Sequence, residues 1–244
     1  MKKLSSKIET IETSVLESAK SGALSELTFE LGEVAIDTLL DDGLAREIPF
    51  FGMVVKAHDA LNSFQEKLFA GKVYKFLKTI SEVSQEDRER LIDQISKKKG
   101  GTIAAGTAIL ELIDKLDAEK KPKFVGELFN ACARGHISLD EYLRLSDAIA
   151  KIYVSDLELL ADPHPSGLAT PAQKSSLVSL GLMTMRVRNP SKSAGSSIGM
   201  LQLAEDIYKK PLEFDYALTL GAAQISLHCF GLNRFSDEGI EGFS

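Results

Sequence analysis

The chain has 244 residues, 44% hydrophobic and 26% charged, with a formal net charge of −6 at pH 7. That length buries one large core or two smaller ones. The acidic balance excludes a global basic field that would draw the protein to nucleic acid.

The opening M-K-K-L-S-S-K-I-E-T is basic but runs into no apolar stretch, so it does not read as a signal peptide. No run approaches the roughly 18 apolar residues of a membrane span. The most apolar stretch, 103–113, is interrupted by Thr107 and Glu111. Only attachment to a membrane surface stays compatible with the sequence. Cys132 and Cys229 lie far apart and make no metal-type spacing, the pattern of a reduced cytoplasmic protein.

Helical spacing dominates the first two thirds. Leu24, Leu27, Leu31 and Val34 recur at steps of three and four, one face of a helix. Asp41-Asp42-Gly43 reads as a stop and Ile48-Pro49 as the next entry. Val54, Leu61, Phe64 and Leu68 mark a second amphipathic segment, which Gly71 separates from Val73, Phe76, Leu77 and Ile80. Ser84 with Asp87 is an N-cap followed by an acid, and the helix it opens ends through Lys97-Lys98-Lys99 at Gly100-Gly101. Apolar segments follow over 103–116 and 124–133.

Residues 130–142, N-A-C-A-R-G-H-I-S-L-D-E-Y, have the outline of a helix–loop–helix calcium site, with Gly135, Ile137 and Glu141 in the expected places. A hard divalent cation needs oxygen ligands at the first, third and fifth loop positions. Here those are Asn130, Cys132 and Arg134, and a thiol and a permanent cation exclude calcium. Ser138 and Glu141 instead form a capping box for the helix carrying Tyr142, Leu145, Ile149 and Ile152.

The composition changes at 161–167, A-D-P-H-P-S-G, read as a linker over 161–169. Thr170, Pro171 and Gln173 open another helix, which ends near Gly181. Residues 183–188 alternate like a strand, 214–218 are its expected partner, and Thr219 caps a last helix over 220–230. The expectation is a mostly α protein: a helical bundle domain (1–160), the linker, and a small α+β winged-helix-like module (170–244).

The segments I-P-F-F-G, L-E-L-I-D-K-L-D, G-H-I-S-L-D-E-Y-L-R-L and Y-A-L-T-L-G resemble a group of uncharacterised cytoplasmic bacterial proteins. The resemblance implies an all-helical body with a winged-helix-like tail and no established activity. Bacterial accessory roles such as phage defence or toxin neutralisation fit that profile. No functional residue is carried over from it.

Enzyme motifs are scarce. Gly195-Ser196-Ser197-Ile198-Gly199 matches G-x-S-x-G, and Asp206 or Asp215 and then His228 follow in acid-then-histidine order. That motif needs a strand-to-helix elbow on a mostly parallel sheet. The preceding chain reads as helices, and residues 200–244 are too few for the remaining strands, so the match is taken as fortuitous. The histidines His58, His136, His164 and His228 are scattered, and no H-E-x-x-H, C-x-x-C or phosphate loop occurs. Asp114, Asp117 and Glu119 read as a solvated acidic group. The expectation is a non-enzyme without cofactor or metal.

Two surfaces remain as binding candidates. Arg186, Arg188 and Lys192 place cations on or beside the wing, but residues 164–244 hold seven cations and seven carboxylates. A neutral module is a poor source of phosphate attraction. Residues 46–78 hold six cations against three carboxylates, interleaved with phenylalanines. There Phe50, Phe51, Lys56, Phe64, Lys67 and Phe69 would form a membrane or partner face. The expected role is a cytoplasmic protein-interaction or regulatory protein, with a protein partner or a second copy of itself. A DNA-binding regulator and a membrane-surface effector are the alternatives.

Overall fold

The computed structural model describes residues 2–26, 47–56, 64–117, 120–187 and 213–234. They form a mostly helical bundle with one small antiparallel sheet. The body consists of α1 (Lys2–Lys20), α2 (Pro49–Lys56), α3 (Phe64–Ile80), α4 (Gln85–Lys99), α5 (Thr102–Asp114), α6 (Lys121–Ala133) and α7 (Leu139–Lys151). The remainder consists of α8 (Val154–Glu158), a 3-10 turn (Leu159–Ala161), α9 (Pro165–Leu168), α10 (Pro171–Ser179), β1 (Met183–Val187), β2 (Phe214–Leu218) and α11 (Leu220–Phe230).

Helix α1 spans Lys2–Lys20 and buries Val15, Leu16 and Ala19. Its apolar row is sparse among serines, threonines and glutamates, so packing rather than periodicity establishes it. Leu24 itself lies in a 3-10 turn, Gly22–Glu26, while Leu27, Leu31 and Val34 lie outside the described residues. Gly71 does not break a helix: α3 runs through it from Phe64 to Ile80. An interior glycine costs a helix only about 1 kcal/mol, and α3 recovers that by burying Val73, Tyr74, Phe76, Leu77 and Ile80.

Helix α6 is the axis of the bundle. Eleven of its residues are buried, because α3, α4, α7 and α11 all pack on it. A helix apolar all round belongs in an interior. Phe129 of α6 meets Phe76 and Tyr142 edge-on, with centroids 5.9 Å apart in each case. At the α3 crossing Gly126 carries no side chain, and a β-carbon there would stand 2.6 Å from Thr79 Cβ. Gly106 plays the same part between α5 and α1, where a β-carbon would overlap the Glu12 carbonyl.

Several buried polar side chains in the body are engaged with backbone. Arg88 is 2% exposed, and it donates to the carbonyls of Ala19 (2.9 Å), Ser21 (2.8 Å) and Val83 (2.5 Å). It thereby ties the end of α1 and the α3–α4 turn to α4. Ser18 Oγ donates to Ser14 O and accepts from Phe50 N, fixing the start of α2 on α1. Lys121, fully buried, donates to Ala150 O at 3.2 Å and pairs with Asp117 at 2.5 Å.

Beyond α7 the predicted caps form as expected. Thr170 and Gln173 make a capping box with Pro171 in the first turn, and Thr219 Oγ1 accepts from Ala222 N. β1 and β2 pair antiparallel, with Met185 opposite Tyr216 and Val187 opposite Phe214. One apolar cluster runs from Val15 through Leu128 and Leu160 to Leu177, Leu182, Ala222 and Ile225. Packing is therefore shared across residues 161–169, a stretch that itself contains α9. Arg234 binds that stretch too, donating to Leu160 O at 3.1 Å, Pro163 O at 2.9 Å and Asp162 O.

Candidate functional site

The turn between α6 and α7 shows how a calcium-loop outline is put to other use. Gly135 adopts φ +78°, and its N–H and that of His136 bond to Cys132 O and Ala131 O. This is the Schellman closure of α6. Glu141, the would-be bidentate ligand, accepts from Ser138 N and Ser138 Oγ, bonds that hold its carboxyl below the ordinary range. Asn130 is fully buried and donates to Thr79 O at 2.9 Å. Burial, helped by Glu141, pushes the Cys132 thiol up to about 11, so it is no thiolate at neutral pH. Among the described residues no group of three or more His, Cys, Asp or Glu side chains converges on a metal-sized site.

The same turn meets α11. His136, exposed on the turn, stacks on half-buried His228 with ring centroids 5.6 Å apart and planes 16° from parallel. His228 Nε2 is 3.0 Å from Gln224 Oε1. Burial first, then His136 and Arg134, holds its pKa below the ordinary histidine value. Next to it Cys229 directs its thiol at Phe124 O, 3.6 Å away, and burial with nearby Glu127 pushes that thiol up. Phe230 closes the contact against Phe124, centroids 5.0 Å apart. Sequence spacing hid this cluster, because the two rings belong to elements distant in the chain. The local signal was slight: His136 directly follows Gly135, and His228 lies three residues before Gly231.

The second feature is the hairpin. Directly opposed residues of an antiparallel pair share a face. Met183, Met185 and Val187 therefore lie with Leu218, Tyr216 and Phe214, while Arg186 and Asp215 oppose each other on the other side. The apolar face is buried at its inner end, where Met183 is 2% exposed. It opens outward to Met185 at 49%, Val187 at 56% and Phe214 at 37%. Lys174 Nζ stands over Tyr216, 5.0 Å from the ring centroid. Leu168 and Leu220, also exposed, flank β2 on α9 and α11. Among the described residues each strand has one neighbour, which leaves an outer edge on each.

The sequence-predicted residues fall in several places. Phe50 and Phe51 are in the core, 2% and 0% exposed, edge-to-face with each other, and Phe51 also meets Tyr74 edge-on. That corrects the expectation of a membrane or partner face at those two positions: α2 turns both rings inward against α1 and α3. Phe69 packs partly buried against the same cluster, and Lys67 is half-buried. Lys56 and Phe64 lie in α2 and α3, with side chains outside the described residues. Arg186 is exposed on β1. Arg188, Lys192, His58, Asp206 and the 195–199 motif lie outside the described residues. No described helix is long and apolar enough to cross a membrane. Comparison with protein-family models, curated proteins and solved structures finds no match to this chain.

Proposed function

We propose that this protein is a non-catalytic interaction or regulatory protein, and that the hairpin of its C-terminal, winged-helix-like part is the contact surface. The carrying observation is the outward-opening apolar face of Met185, Val187 and Phe214, flanked by Leu168 and Leu220. Contiguous exposed apolar area on a folded protein marks an interaction site more often than scattered single residues do. Among the described residues, six of the eight large exposed hydrophobics, Tyr153, Leu168, Met185, Val187, Phe214 and Leu220, fall after α7. An extended partner segment pairing with a hairpin edge while inserting apolar side chains beside Val187 is the mode this geometry favours. The chemistry of the described site supports the non-catalytic reading. Its thiols are raised by burial, its capping serines are hydrogen-bonded at helix starts, and its core arginine holds carbonyls.

The test is photocrosslinking from position 187 in the native host, alongside affinity purification of wild type and Val187→Asp. The reading expects a discrete crosslinked partner and at least about tenfold lower recovery with the variant, equivalent to roughly 1.4 kcal/mol. Equal recovery by a folded Val187→Asp protein would remove the hairpin from the interaction. Substrate turnover abolished by Ser197→Ala would overturn the non-catalytic reading itself.

A further inference from the structure

We propose that the stacked His136–His228 pair is a pH-sensitive latch that holds α11 on the α6–α7 turn at neutral pH and loosens it on acidification. The geometry is of two titratable rings from distant segments, face to face at 5.6 Å. They lie where α6 ends and where the last turn of α11 arrives. Gln224 Oε1 can only accept, so His228 Nε2 carries the hydrogen and the acid-added proton goes to Nδ1. That proton would lie in a half-buried position beside a second protonatable ring.

The surroundings do not offset it. From the α6–α7 turn come the guanidinium of Arg134 and the ring of His136, and both hold His228 toward its neutral form. From α6 comes Glu127, whose influence falls on Cys229 next door. α7 brings Arg144 to Gly221 at the opposite end of α11, and Glu141 is engaged with Ser138. The 3-10 turn packed on α11, Leu159–Ala161, has no ionisable side chain. Arg234 reaches back to Ser226 Oγ at 2.8 Å and adds a further cation. A helix C-terminus favours cations through its free carbonyls. Here Leu227 O and Ser226 O already accept from Gly231 N and Leu232 N, which weakens that effect.

The sign follows from linkage. A base whose folded pKa lies below its unfolded value, about 6.5 for histidine, takes up a proton more readily once released. The docking contribution is complete above that unfolded value and is lost as pH falls from there toward the folded pKa. The loss is at most about tenfold per pH unit for one proton. Glu127 acts in the opposite sense. Its carboxyl is held above the ordinary range by burial and by Glu82, so acid favours its folded form. The direction of the response therefore separates the two groups. α11 is continuous with β2 through Thr219, which binds Leu182 O and Gly181 O, so the latch also sets how firmly the hairpin is held.

The experiment combines a ring-proton NMR titration with hydrogen exchange of α11 amides, referenced to α3, between pH 7.5 and about 5. In wild type His228 should titrate below about 6.5. Protection of α11, corrected for intrinsic exchange, should fall relative to α3 across that range. His136→Ala, at an exposed position, should raise the His228 midpoint and flatten the response, and His228→Gln should abolish it. The latch is overturned if folded His228 titrates at or above the ordinary value, or if α11 and α3 respond in parallel. It is equally overturned if the pH response survives in His136→Ala. That variant decides the matter should His228→Gln fail to fold.

Discussion

The body up to α7 and the part after it contain similar residue types but use them differently. In the body, several polar side chains that enter the interior find backbone partners, and large apolar side chains are nearly all covered; Leu68 and Ile103 are the described exceptions. After α7 the apolar cluster continues inward through Leu177, Leu182 and Ile225, yet the hairpin exposes Met185, Val187 and Phe214. Two arginines make the contrast concrete. Arg88 lies 2% exposed among three body carbonyls, whereas Arg234 makes a similar set of bonds at a half-buried position after α11. The same chemistry closes a core in one place and pins a surface segment in the other. A region whose contacts are all internal is built for stability, while one that leaves an apolar face open has free energy available for a partner.

The largest expected effect comes from removing the interior arginine. Arg88→Ala strands the carbonyls of Ala19, Ser21 and Val83 and leaves a cavity. A loss of about 3–5 kcal/mol is expected, since each unsatisfied buried group costs on the order of 1–3 kcal/mol. Arg234→Ala, with water able to replace it, should lose no more than about 1–2 kcal/mol. Equilibrium denaturation of both variants checks the ordering, and equal losses would erase the distinction between the two regions. A similar contrast exists among glycines. Gly126→Ala forces a β-carbon against Thr79 at the α3–α6 crossing, for an expected cost of about 1–3 kcal/mol. Gly167→Ala in α9 meets nothing within 4 Å and should be neutral or slightly stabilising. Thermal midpoints of the pair provide the comparison.

Capping effects come next in size, and they show which parts of the fold could be read from sequence. Ser138→Ala removes the acceptor for Glu141 N and one of the bonds depressing the Glu141 carboxyl. It should cost about 1 kcal/mol, measured by denaturation at pH 7. The difference should shrink as pH falls through the low folded pKa of Glu141, where the carboxylate that completes the box is protonated. Such caps were legible because their partners lie three residues apart: Ser84 with Asp87, Ser138 with Glu141, Thr170 with Gln173. The strand pair was legible from its alternation. Arg88 was not, because an arginine in Q-E-D-R-E-R reads as solvated until α1 arrives to bury it. The phenylalanines of α2 were misread for a related reason: a basic, aromatic stretch looks the same whether its apolar face meets lipid or other helices. The histidine stack required α11 to fold back on α6, which no local pattern encodes.

The smallest stability effect belongs to the residue expected to matter most for binding. Val187 is 56% exposed at the outer end of β1, opposite Phe214. Val187→Asp removes one half-solvated cross-strand contact, so its stability cost should stay near 0.5 kcal/mol. Asp215 lies on the other face, so the new carboxylate gains no like-charge neighbour directly opposite it. Any partner that covers the Val187 side would have to desolvate that charge, which costs far more than the lost valine contact. Stability and recovery should therefore separate: an unchanged denaturation midpoint with a large loss of partner. If both fall together, the hairpin belongs to the structural core as α6 does, and the division between a closed body and an open C-terminal face fails.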